Sequence, residues 1–357
     1  MTVQPTRVLP QNSIQAIEKE LILLGLMQTE QLGYFSLVGG RHGFVATSRW
    51  NTTIESIRNT LDNPTQGNKH ATLQALKAIT IKIITGANHY YAIDEIATGS
   101  ETRKLSNLIT LMSEPGRENE FSKVFPSRLT EENGLPAYAG HHLAAVEKLS
   151  DGIALIYAHV QIKKIPKGKY AGETYSEQYF NTVFIPNTLS RIEYRIDRKL
   201  GSRAAAKAME EIRYEFLALL NLKDINLQLT SVNFYKAINN AYQDKNYGRV
   251  VQADAVNAIN DEDANFRCRS GKKYDARYRK IVRTETGTDI DMPIEFYCVC
   301  VRFDYTTGSE EHFNEIGFET TRQNYMNKQF CGSFFMTQQS DNVPHMGVID
   351  DILKRAR

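Results

Sequence analysis

Three successive stretches between Gly152 and Arg198 constrain the fold more than any other feature of the chain. Gly152 to Ile165 is a long run rich in β-branched residues, with Ile153, Ile156, Val160, Ile162 and Ile165. Tyr175 to Ile185 has the same texture. Arg191 to Arg198 alternates: Ile192, Tyr194 and Ile196 fall on one face, Arg191, Glu193, Arg195 and Asp197 on the other. That is the pattern of a half-buried strand. Helix and strand do not alternate as βαβ units require, which argues against a doubly wound parallel sheet. The expected class is α+β: a helix-rich N-terminal part, residues 1–150, followed by a mixed, mainly antiparallel sheet part, residues 151–357. The boundary falls within 114–150, where Pro115, Gly116, Pro126, Gly134 and Pro136 break a polar stretch that reads as a long loop.

Helices are expected where apolar residues recur at three- and four-residue spacing. Ile14, Ile17, Leu21 and Leu24 mark the first, Leu73, Leu76, Ile79 and Ile83 another, and Met209, Ile212, Phe216 and Leu219 a long one over 200–220. Further helices are expected over 52–61, 102–112, 141–149, 234–241 and 348–355. Tyr34 to Val38 and Gly43 to Thr47 read as short strands joined at Gly39-Gly40, because paired glycines suit a tight hairpin. Strands are also expected over 227–232, 249–253, 294–305 and 330–337.

The 357 residues carry 41% hydrophobic and 24% charged side chains, which excludes a disordered or collagen-like chain. The longest apolar run, Ile153 to Val160, is far short of the ~20 residues a membrane helix needs. MTVQPTRVLPQNS at the N-terminus lacks the apolar core of a secretory signal. Four cysteines, Cys268, Cys298, Cys300 and Cys331, are too few for a disulfide framework in a chain of this length. A cytoplasmic protein is expected.

A formal net charge of +2 hides three blocks. Residues 1–150 are neutral, 151–283 carry +8 and 284–357 carry −6. Two basic clusters lie in the middle block. One is Lys163, Lys164, Lys167 and Lys169; the other holds Arg267, Arg269, Lys272, Lys273, Arg277, Arg279, Lys280 and Arg283, with Tyr274 and Tyr278 among them. Lys and Arg neutralise phosphates, and aromatic rings stack on unpaired bases. The pattern points to a nucleic-acid-binding protein contacting DNA or RNA through its phosphate backbone. A charge run is more often a solvated face, and Asp261, Glu262 and Asp263 or the acidic C-terminal block offer internal partners.

Two other readings compete. Asp289 and Asp291 are two apart and would share a strand face, so they could hold a divalent cation. The surrounding GTDIDM resembles the Asp-x-Asp strand of nucleotidyltransferase-fold enzymes over about six residues, without the Gly-Ser helix start that should precede it. That resemblance implies metal-dependent phosphoryl transfer, as a nuclease or nucleotidyltransferase-like enzyme. No cofactor is expected otherwise; under this reading Mg²⁺ or Mn²⁺ would be required. The second alternative is an oligomeric interaction subunit of a larger prokaryotic complex, since blocks of opposite charge suit self-association or a partner protein. No membrane partner is expected.

Three smaller patterns read as structural. Asp151 with Gln161-Ile162-Lys163 has the letters of the PD-(D/E)xK nucleases, but no turn separates the two elements. Cys298 and Cys300 would share a strand face and, with Cys268 and Cys331, offer four thiolates for zinc; buried cysteines acting as small hydrophobes explain them better. His141 and His142, if helical, diverge by ~100° and cannot reach one ligand, and His159 reads as a core or edge histidine.

Overall fold

The structure is a computed structural model that describes residues 11–135, 139–165, 172–257, 263–267, 274–278, 294–307, 310–328, 330–337 and 345–357. It is α+β. The chain divides into two compact units, each assembled from three segments. The first comprises Met1–Thr85, Thr110–Val146 and Leu155–Phe180; the second comprises Gly86–Ile109, Glu147–Ala154 and Asn181–Arg357.

In the first unit, α1 (Gln11–Gln28), α2 (Leu32–Gly39), α3 (Trp50–Asp62) and α4 (Leu73–Gly86) precede a short α5 (Glu120–Val124) inside the expected loop. The buried side of α1 is Ile22, Leu23 and Leu26, while Ile17 and Leu24 face solvent. The face shifts because Gly25 packs on the backbone of Pro126, where a Cβ would come within 2.5 Å of the carbonyl oxygen. The expected hairpin at Gly39-Gly40 is instead the end of α2 running into a 3-10 turn, Gly40–His42. Tyr34, Phe35 and Val38 form a helical i, i+1, i+4 stripe that is fully buried. Phe35 lies 5.9 Å from Trp50 and 6.5 Å from Phe44, ring to ring. The stripe of α4 is buried as expected at Leu76, Ile79 and Ile83.

Three strands belong largely to this unit: β2 (Gly140–Lys148), β3 (Gly152–Lys164) and β4 (Thr174–Pro186), with β3 between the other two. The expected helix over 141–149 is therefore a strand. HHLAAVEK has helix-forming alanines, but pairing with the apolar β3 overrides local preference.

The second unit is built on a sheet ordered β4-β5-β1-β11-β10-β9-β7-β8. Its strands are β1 (His89–Ile96), β5 (Arg191–Asp197), β7 (Arg249–Asn257), β8 (Asp263–Arg267), β9 (Ile294–Thr307), β10 (Glu310–Glu319) and β11 (Phe334–Met336). A short β6 (Leu229–Ser231) pairs with β1, and the pairs with resolved register are antiparallel. Helix α6 (Ser202–Leu222) lies on one face of the sheet, with Phe216 edge-on to Tyr194 of β5. On the other face, α7 (Tyr235–Gln243) and α9 (His345–Ala356) close a core of Ala237, Ile238, Ala241, Ile349, Ile352 and Leu353 over Tyr91, Phe234, Val299, Val301, Phe318 and Phe334. A last short helix, α8 (Arg322–Lys328), follows β10.

With helices on both faces, β5 is buried on both, not half-buried. Its charged face is satisfied within the protein. Glu193, fully buried, accepts from Arg191 Nε at 2.8 Å and from Arg195 Nη2 at 2.7 Å. Arg191 also reaches Asp350 of α9 at 2.7 Å, and the Arg195 guanidinium lies 3.9 Å over the ring of Phe184. Burying such charges is tolerable only because each is paired and hydrogen-bonded. No helix among the described residues is long and apolar enough to cross a membrane.

Candidate functional site

The basic, tyrosine-bearing segment is described at Tyr274–Tyr278 and, for its backbone, at Arg267, which ends β8 opposite Gln252. Arg269, Lys272, Lys273, Arg279, Lys280 and Arg283 lie outside the described residues, as do Lys167, Lys169, Asp261, Glu262, Asp289, Asp291 and Cys268.

Arg277 is not a surface cation. Its side chain is 4% exposed. Nε donates to the carbonyl of Tyr242 at 2.6 Å, Nη1 to Gly248 at 2.9 Å, and Nη2 to Ala241 at 2.9 Å and Tyr247 at 3.1 Å. Asp275 completes the arrangement, accepting from Nη1 at 2.7 Å and from the Arg277 backbone N–H at 2.9 Å. These contacts remove Arg277 from the set of phosphate-contacting residues, because no donor remains for an outside anion. They also fix a 3-10 turn, Ala276–Tyr278, whose Ala276 is buried in the core. Arg249 adds a second anchor: it forks onto Asp304 at 2.9 and 3.0 Å and reaches the carbonyl of Tyr274 at 3.3 Å. Held between these anchors, Tyr274 is 67% exposed and Tyr278 69% exposed.

Part of the positive block is thus paired with the acidic C-terminal block, through Arg249–Asp304 and Arg191–Asp350. Lys163, in the first unit, is also engaged. Its Nζ lies 2.6 Å from Glu177 Oε2 and bonds the Tyr179 hydroxyl, which itself donates to Glu177 at 2.6 Å. Burial pushes the Lys163 ammonium down, and the bonds to Glu177 and Tyr179 outweigh it, holding the group above its ordinary value. Burial, then Glu177, pushes Tyr179 up to about 12. Lys164 is exposed.

The nuclease pattern dissolves. Asp151 immediately precedes the uninterrupted β3 and Lys163 lies near its far end, so at ~3.3 Å per residue they are roughly 40 Å apart. The three described cysteines do not converge either. Cys300 packs with Val251 and Phe335 on one side of the sheet, whereas Cys331 sits in the core beneath α7 and α9. Burial pushes the thiols of Cys298 and Cys300 well up, and that of Cys331 up to about 12. They behave as small core residues.

A cavity of about 650 Å³ in the second unit lies between Met209 and Arg213 of α6 and Tyr90, Phe334 and Phe335 of the sheet. Arg213 and Ser231, which line it, both donate to the buried Asp94, at 3.0 Å and 2.7 Å.

The sequence reading missed one side-chain pair. Because β2 is a strand, His141 and His142 point to opposite faces. His142 stacks on Phe121, 4.8 Å between rings. His141 meets His159 of the neighbouring β3, Nδ1 to Nδ1 at 3.3 Å. Burial, then the neighbouring His159 and His142, pushes His141 down to about 2, so its imidazole is neutral. The only signal in the sequence is a histidine in each of two strand-length segments, invisible while the first reads as a helix.

Compared with known proteins, the chain matches no protein-family model, no curated protein and no solved structure.

Proposed function

We propose that the second unit binds single-stranded nucleic acid, with Tyr274 and Tyr278 as stacking platforms and the cations beside them in the chain neutralising phosphate. The observation that carries this reading is the display of two tyrosines, each about two-thirds exposed, on a turn fixed by a buried arginine. A pinned backbone lowers the ordering cost of binding. Rings presented in this way offer base-stacking energy of ~1–3 kcal/mol each, and Lys272, Lys273, Arg279 and Lys280 adjoin them in sequence.

Fluorescence anisotropy with labelled oligo-dT and oligo-U over a salt series tests it. Binding should weaken linearly in log affinity against log salt. Tyr274→Ala and Tyr278→Ala should each weaken it by roughly 5- to 150-fold at unchanged melting temperature. Undetectable binding at low salt, or tyrosine variants that bind like the wild type, would sink the reading.

A further inference from the structure

We propose that His141 and His159 form a binding site for a divalent transition metal of the imidazole-preferring class, represented by zinc or cobalt(II). Two imidazole nitrogens bound to a tetrahedral zinc, each ~2.05 Å from the ion, stand roughly 3.3–3.4 Å apart. The two Nδ1 atoms already stand 3.3 Å apart, with ring centroids at 4.2 Å and planes tilted by 37°. The pair therefore has the spacing of one tetrahedral edge before any metal arrives.

One further observation agrees. Gln161 follows His159 by two residues on β3 and so projects from the same face. Its Oε1 is buried and makes no hydrogen bond. An unsatisfied buried acceptor is costly. A cation on this face would give that oxygen a partner, making Gln161 a further ligand. Imidazole nitrogens select zinc, cobalt, nickel or copper over magnesium or calcium, which take oxygen ligands.

The full chain, stripped of metal with a chelator, is titrated with zinc by calorimetry and with cobalt(II) by visible absorption. One saturable site per chain is expected, with the intense visible bands of tetrahedral cobalt. His141→Asn and His159→Asn should each weaken zinc at least ~100-fold, and Gln161→Ala by roughly 10-fold. His142→Asn, whose ring is engaged with Phe121, should bind zinc like the wild type. X-ray absorption of the zinc-loaded wild type should count two imidazoles, a readout that does not depend on any variant folding. Absence of saturable binding, fewer than two imidazoles, or an equal loss in His142→Asn would overturn the assignment.

Discussion

Arg277→Lys separates a structural clamp from a phosphate contact, because both side chains carry the same charge. The guanidinium reaches four backbone carbonyls and Asp275 at once. An ammonium offers three donors from a single point and no planar fork, so at least two of these bonds are lost. Charge-assisted hydrogen bonds contribute roughly 1.5–3 kcal/mol each, and the acceptors left behind are buried. The expected loss is therefore about 3–5 kcal/mol. Arg277→Ala belongs at the upper end of that range, since it also strips Asp275 of its cation. Set against a total stability of ~5–15 kcal/mol, either change removes a third or more in a marginal protein. Urea denaturation followed by circular dichroism reads it as a lower midpoint at unchanged slope. A phosphate contact would behave otherwise: stability would stay put and the salt slope of nucleic-acid binding would fall by about 1. Arg277→Lys unfolding at the wild-type midpoint would refute the clamp.

Glu193→Gln leaves two buried guanidinium groups facing a neutral amide and should lower stability by about 3–5 kcal/mol. Asp350→Ala removes only the half-exposed end of the same ladder and should cost no more than ~1 kcal/mol; equal losses would show that burial does not set the cost. Lys163→Met should lower the melting temperature most near neutral pH. Burial raises the Glu177 carboxyl, but its bonds from Lys163 and Tyr179 outweigh that and hold it below its ordinary value, so its contribution is present above the ordinary carboxyl range and fades as pH falls through the folded value. The contribution of Lys163, held above its ordinary value, persists at neutral pH and fades only as alkaline pH passes that raised value. Melting curves of wild type and variant should thus converge in acid, and a gap that widens there contradicts the pairing.

What could be read from the residues depended on whether the information was local. The stripe Met209, Ile212, Phe216 and Leu219 specifies a helix by its spacing alone, and α6 buries all four. The β-branched texture of β3 and β4 is equally self-sufficient. Tyr34 and Phe35 misled because aromatic residues favour strands, although their spacing to Val38 is helical. The buried charge of β5 could not be read from alternation, since Arg191, Glu193 and Arg195 look solvent-facing until a second helical layer covers them. Arg277 reads as a surface cation for a related reason: most of its acceptors are backbone carbonyls, which every sequence possesses. The His141–His159 pair needed both a strand where a helix was expected and the correct neighbour for it.

The placement of β1 inside the sheet has a consequence for how the chain must assemble. Its partners β5, β6 and β11 lie about 100, about 135 and about 240 residues further along the chain, separations of the kind that slow folding by orders of magnitude relative to local pairing. During synthesis, Tyr90–Ile93 therefore emerge long before any of these neighbours exists. For that interval an apolar strand has both edges open, the situation in which nascent chains pair wrongly or recruit chaperones. Refolding from denaturant should accordingly be slow and sensitive to protein concentration, with β1 among the last strands to gain protection from hydrogen exchange.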